Sequence, residues 1–193
     1  MARSKEFNPE EVLERAIECF HRNGFHASSV ESLTVAMGLG RGSLYATFTD
    51  KRALFDAALK RYAEQSVSKI VGRLDRTEEP LAEIAAVLRD VAEGAATDGN
   101  RRGCLVTNTA TELAGEDREI SRVIAQIFLW IEEGFYRALR RAQGMGTLDR
   151  KKNPRALARF FVGVMQGLMV MSRVNADPEV LHDIVVSALV CLG

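Results

Sequence analysis

The chain has 193 residues, 47% of them apolar, and its 26 basic residues balance 26 acidic ones. That length buries one good core, or a small head on a larger body, and zero net charge excludes a molecule that binds polyanions over its whole surface. Cys19, Cys104 and Cys191 lie far apart with no Cys-x-x-Cys pair, and His21, His26 and His182 show no ligand spacing, so a disulfide framework, a metal and a cofactor are not expected.

β-Branched residues never alternate over a useful length, so the chain reads as all-α, with about nine helices. The first helix has Asn8 as cap, Pro9 at its first position and Glu11 three residues after the cap. Val12, Leu13, Ala16, Ile17 and Phe20 form its apolar stripe, and Gly24 ends it. A short second helix follows a Ser28-Ser29 cap and stops at Gly38, and a third covers about 41–48. Thr49-Asp50 caps a fourth helix over about 51–74. Residues 77–80 break the chain, a fifth helix runs to about 97, and the turn Asp98-Gly99-Asn100 ends it. The sixth helix covers 102–113 and the seventh about 117–143. The Gly-rich, then basic, segment 144–153 is expected to be an exposed, mobile loop. Pro154 opens the eighth helix, which ends near Asn175, and Asp177-Pro178 opens the ninth.

Helices two and three form the most informative stretch, 24–54. Leu33, Leu39 and Leu44 are spaced to meet in one small core between them. Arg41, Gly42, Ser43, Tyr45, Ala46 and Thr47 are left as the outer face of the third helix. A short, small-surfaced helix on a tight turn fits a DNA major groove about 12 Å wide. The first sixty residues hold eight basic and eight acidic side chains, so charge is arranged rather than abundant. Between Gly38 and Tyr62, Arg41, Lys51, Arg52, Lys60 and Arg61 face only Asp50 and Asp56.

Phe20, Gly24, Phe25, Ser29-Val30, Gly38, the run Gly42-Ser43-Leu44-Tyr45, Phe48 and Lys51 together resemble the TetR family of one-component transcriptional regulators. The likeness covers about the first quarter of the chain at motif level. It implies a three-helix, homeodomain-like helix-turn-helix head over 1–52, a connecting fourth helix over about 50–75, and a helical body over 53–193 that binds a ligand and dimerises. It further implies a homodimer on a palindromic double-stranded DNA operator, acting as a repressor that a small-molecule inducer or a reactive electrophile releases. The alternatives are a DNA-binding dimer without a ligand, or an activator.

The resemblance assigns Tyr45 and Lys51 to DNA phosphates. Lys51 lies in the first turn of the fourth helix, where free N–H groups and an ammonium together hold an anion, and Tyr45 offers a hydroxyl on a stiff stem. Thr49 adds a third phosphate contact. Arg41 can grip guanine O6 and N7 or sit on a phosphate. Gly42 and Ser43 allow close approach, and Ser28 and Ser29 cap the second helix and donate to phosphate. Three positions depart from the family pattern: Gly40 replaces a Ser or Thr cap, Ala46 a larger side chain and Thr47 a tyrosine. Readout then leans on Arg41, on methyl contacts from Ala46 and Thr47, and on DNA shape.

Helices eight and nine are apolar over more than one stripe, and Gly163 and Gly167 would let helices approach closely. Phe161, Val164, Leu168, Met171, Leu181, Ile184, Val185 and Ala188 are therefore expected at a dimer interface, a four-helix bundle that the resemblance also implies. Polar residues interspersed among apolar ones suggest a small-molecule pocket at Val87, Val91, Thr107, Asn108, Thr111, Ile127, Trp130, Ile131, Met165 and Gln166, with Gln126 beside them. Cys104 joins that set. Arg101, Arg102 and a helix start would lower its thiol pKa, and some relatives sense electrophiles at a cysteine in a similar context. No phosphate loop, nucleophile elbow, paired His/Glu spacing or Cys–His dyad is present, so no catalytic residue is assigned. No signal peptide and no apolar stretch of roughly twenty residues are found, which points to the cytoplasm and away from a membrane.

Overall fold

The computed structural model describes residues 8–98 and 101–193, and among these there is no strand. The helices are α1 (Pro9–Asn23), α2 (Val30–Met37), α3 (Arg41–Thr47), α4 (Lys51–Arg76), α5 (Pro80–Thr97), α6 (Leu105–Leu113), α7 (Arg118–Met145), α8 (Pro154–Val174) and α9 (Pro178–Leu189), closed by a 3-10 turn, Val190–Leu192. The all-α expectation holds. Helix starts follow local chemistry: Asn8, Ser29, Asp117, Asn153 and Asp177 each accept a hydrogen bond from a first-turn N–H of the helix they precede. Asp50 does the same for α4, taking the Ala53 N–H at 2.8 Å. Gly99 and Asn100, expected in the turn after α5, lie outside the described residues. The described residues fall into two compact units that divide inside α4, between Glu64 and Gln65.

In the N-terminal unit, α1 buries Val12, Ala16, Ile17 and Phe20, while Leu13 of the expected stripe is only half-buried. Phe55 of α4 meets both Phe20 and Phe25 edge-on with ring centroids 4.9 Å apart. Such pairs add to plain area burial. Arg61 of α4 bonds Glu14 at 2.6 Å and lies 3.4 Å from Glu10, which ties α4 to the start of α1.

In the C-terminal unit, α7 packs on α5, α6 and α8, and α9 packs on α5 and α8. The last turns of α4 are clamped to α7. Gly134 is buried there, and a Cβ on it would sit 3.2 Å from Val71. Arg137 forks onto both Asp75 oxygens at 2.8 Å, Arg141 donates to the Leu74 carbonyl, and the Arg137 hydrogen bond holds the Asp75 carboxyl below its ordinary range. On another side of α4, Arg73 bridges Glu83 and Asp90 of α5 at 2.7 and 2.6 Å.

Three details differ from the sequence reading. α6 starts at Leu105 rather than 102, because Gly103 takes a left-handed backbone (φ +67°) pressed against α8, where a Cβ would lie 3.0 Å from the Met169 carbonyl. The segment after α7 is tied down: Leu148 is buried, Gln143 donates to the carbonyls of Asp149 and Lys152, and Lys152 donates to those of Cys191 and Gly193. And α8 is long and apolar enough to cross a membrane by length and composition, where no such stretch was expected. Its Ala158, Phe161, Met165, Leu168 and Ser172 are buried inside the chain, and Arg155 and Arg159 bind Glu132 and Glu133 of α7, so one face of α8 packs on its own chain.

Phe55→Ala removes the ring that joins α1, the turn after it and α4. Urea denaturation should show a loss of about 3–5 kcal/mol, the usual cost of emptying a buried aromatic site. A loss below about 1 kcal/mol would mean the cluster is not what holds this unit.

Candidate nucleic-acid interface

α2 and α3 meet through a turn that needs a glycine. Gly38 adopts the left-handed conformation (φ +66°) and returns its N–H to the end of α2. Leu33 and Leu44 are fully buried across this turn, as expected. Leu39 is only half-buried, and Met37, 1% exposed, takes its share of the small core.

Leu44 is the one buried residue of α3. Arg41, Gly42, Ser43, Tyr45, Ala46 and Thr47 are all exposed, as is Thr49 just beyond. Gly40 supplies no side-chain cap, and a Cβ at Gly40 or Gly42 would touch nothing, so the first turn of α3 is bare. The Thr47 hydroxyl donates to the Ser43 carbonyl at 3.0 Å. Among the described residues, Arg41 is the member of the 38–62 basic set with no ion pair or side-chain hydrogen bond. Arg52 pairs with Asp56, Lys60 with Glu64 and Arg61 with Glu10 and Glu14.

The serines separate. Ser29 is exposed and caps α2, accepting the Ser32 N–H at 3.0 Å. Ser28 is fully buried, and its hydroxyl donates to the Gly24 carbonyl at 2.6 Å. It is therefore withdrawn from the expected phosphate contacts: its work is to close the turn between α1 and α2. Lys51 is half-buried and reaches back, with Nζ 2.9 Å from the Phe25 carbonyl and 4.3 Å from the centre of the Phe25 ring. This tether was not visible in the sequence, although an ammonium has donors left for a phosphate.

A bare, exposed helix held on a two-helix turn by one buried leucine is a geometry for entering a groove, and the comparisons identify whose geometry it is. The family pattern described as "Bacterial regulatory proteins, tetR family" matches residues 12–58, and "Tetracyclin repressor-like, C-terminal domain" matches residues 80–187. The chain belongs to the TetR family. It is 33% identical over 188 residues to the uncharacterized HTH-type transcriptional regulator YezE of Bacillus subtilis (strain 168), covering 95% of each chain. It is 27% identical over 183 residues to the HTH-type transcriptional repressor ComR of Escherichia coli (strain K12), covering 94% of this chain and 87% of that one. A solved cysteine mutant of the TetR family transcriptional regulator CifR, complexed with 26 bp double-strand operator DNA, superposes with a TM-score of 0.89 at 28% identity, covering 100% of both chains. The protein is a DNA-binding transcriptional regulator of the helix-turn-helix class.

The body departs from expectation on two faces. Phe161, Leu168, Leu181, Val185 and Ala188, assigned to a dimer interface, are buried within the regulator's own chain. Val164 and Ile184 are half-buried, and Met171 alone of that set is exposed. The outward stripe of α8 is instead Phe160, Gly163, Gly167, Val170, Met171 and Val174, joined by Val186 of α9 and by Val190. Spacing gave the period of the stripes but not which one the chain itself would cover.

The assigned pocket residues mostly serve packing. Val87, Ile127, Ile131 and Met165 are buried and Val91 half-buried, while Thr111, Gln126 and Trp130 are exposed. Thr107 donates to Gln166 at 2.6 Å, and Asn108 both donates to the Arg102 carbonyl and accepts from Arg173, both at 2.8 Å. The bonds to Gln166 and Arg173 stitch α6 to α8. Cys104 is half-buried at the cap of α6, and neither arginine beside it is idle: Arg102 bonds Asp98, and Arg101 donates to the Val174 carbonyl. Burial pushes the Cys191 thiol up. A cleft of about 500 Å³ opens elsewhere, between α5 and α9, lined by Arg89, Glu93, Ala96, Pro178, His182 and Val185. Sequence periodicity held no sign of it.

Lys51→Met keeps an apolar stem over the Phe25 ring and removes the ammonium. Stability should fall by about 1 kcal/mol on chemical denaturation, and the slope of log affinity for DNA against log salt should fall by about one. An unchanged slope would assign Lys51 to the fold alone.

Proposed function

We propose that this TetR-family regulator is a homodimeric repressor that binds a palindromic operator with two copies of α3 and is released by an effector held in the body. The observation that carries the DNA contacts is the exposed, uncapped face of α3, with Arg41 exposed and, among the described residues, unpaired, and with Tyr45 48% exposed. Arg41, Gly42, Ser43, Ala46 and Thr47 would face the groove, while Ser29, Tyr45, Thr49 and Lys51 would position the helix on phosphates. Repression follows the sign of ComR, which is a repressor by name. No catalytic residue, cofactor or metal enters this reading, and the protein would act in the cytoplasm.

Dimerisation is supported by the outward stripe of α8. Phe160, Gly163, Gly167, Val170 and Val174 recur every three or four residues, and a contiguous apolar stripe of that kind is normally covered. Pairing two copies gives two heads, as two half-sites about one helical turn apart require.

For release, α4 is the natural lever, since one uninterrupted helix contributes to both compact units. Its last turns are held by Asp75–Arg137 and by the Arg73 bridges to α5, so an effector that shifts α5 or α7 also biases α4. The α5–α9 cleft falls within the ordinary size range of small-molecule sites, whereas the Thr107–Gln166 region opens only if that bond breaks. A reactive electrophile would instead meet Cys104.

Fluorescence anisotropy against the DNA upstream of the protein's own gene, at two salt concentrations, tests the reading. Tight, salt-sensitive binding that Tyr45→Ala weakens at least about tenfold is expected. Equal binding by the variant would remove Tyr45 from the interface. Separately, Val174→Glu places a charge on the outward stripe. Sedimentation should show monomer, with the helical content of the parent kept, and a variant that stays dimeric would move the interface elsewhere.

A further inference from the structure

Helical geometry orders the residues of α3 around its axis at about 100° per residue. Leu44 points into the core and is 0% exposed. Gly42 and Ala46 each lie ~160° from it, so they form the ridge directed straight outward. That ridge carries a hydrogen atom and one methyl group. Thr47 lies on the rim of the exposed face, ~60° from Leu44, and spends its hydroxyl hydrogen on the Ser43 carbonyl at 3.0 Å, an i−4 bond that leaves its methyl as the unengaged end of an exposed side chain. A Cβ at Gly42 would meet nothing, so the helix backbone itself can press toward the groove floor. The side chains able to donate to a base edge are then Tyr45 and Arg41 on one flank and Ser43 on the other.

We propose that this regulator reads its operator mainly through methyl contacts, with Ala46 and Thr47 packed on thymine C5-methyl groups next to a guanine held by Arg41. The inference rests on the DNA contacts assigned to α3 above. Thymine is the one base that presents an apolar group in the major groove, so an α3 with a bare apolar ridge is complementary to it. The half-site is expected to hold thymines at fixed positions beside that guanine.

The test uses the full-length protein to select binding duplexes from a random-sequence pool, and the recovered duplex becomes the probe. Each thymine is replaced singly by deoxyuridine, which removes the methyl and nothing else. Affinity is read by anisotropy at fixed salt for the parent, Ala46→Gly and Thr47→Ser. In the parent, deoxyuridine at one or two positions per half-site should weaken binding about fourfold, the worth of one buried methyl-sized group. The thymine preference at one position should vanish in Ala46→Gly, and at the other in Thr47→Ser. Because thymine and deoxyuridine are compared within each variant, a general loss of helix stability cancels, and Thr47→Ser keeps the hydroxyl bond. Parent binding indifferent to deoxyuridine everywhere, or a penalty unchanged in both variants, overturns the proposal and leaves the DNA-binding assignment standing. A pool that yields no bound sequence overturns both.

Discussion

Everything the head does depends on three phenylalanine rings. Phe20 lies in the last turn of α1, Phe25 sits in the turn that follows, and Phe55 rises from α4 to meet both. The cluster fixes the turn out of α1, and Ser28 then closes that turn onto the Gly24 carbonyl, so that Ser29 caps α2 in one place only. Lys51 completes the arrangement from the other side by holding the Phe25 carbonyl and lying over its ring. α3 is thus aimed by apolar contacts that lie behind it, and only one residue of that helix is buried.

The body solves a different problem. Its helices are long and its apolar surface is generous, so specificity comes from where polar groups are made to meet. Gly134 lets α7 lie close on α4, and the Asp75–Arg137 fork then fixes the register of the two helices. Gly103 lets the start of α6 lie against α8, and Thr107 and Asn108 lock that contact with Gln166 and Arg173. Each pairing joins a close backbone approach to a polar bond, which favours one helix register over its neighbours.

Sequence reading succeeded where local chemistry decides the backbone. Asn8, Ser29, Asp50 and Asp177 cap the helices they were expected to open, and Gly38 supplies a turn that other residues resist. The exposed face of α3 was legible for the same reason, since a seven-residue helix with one leucine toward the core has little freedom in what it buries. It failed where tertiary partners decide. α8 is apolar on two sides, and only the fold, with Phe161 against Phe135 of α7, tells the buried Phe161 and Leu168 from the exposed Phe160 and Val170. Ser28 and Ser29 are adjacent and alike, yet one is buried and the other exposed, because a helix start places successive side chains on opposite sides. Thr107 and Asn108 looked like the polar spots of a ligand cavity because polar groups that line a cavity and polar groups that bond each other share a composition.

The shortness of α3 reaches further than groove fit. Seven residues without a side-chain cap are too few to be helical unaided, and Leu44 is their single apolar anchor. Local opening of this segment therefore costs less than opening of any helix with a buried stripe. The energy that keeps the reading helix ordered comes largely from whatever it lies against. In the proposed complex that neighbour is the operator, so a matching sequence would contribute to folding the helix laid against it, and a mismatched one would meet a segment still partly free to fray.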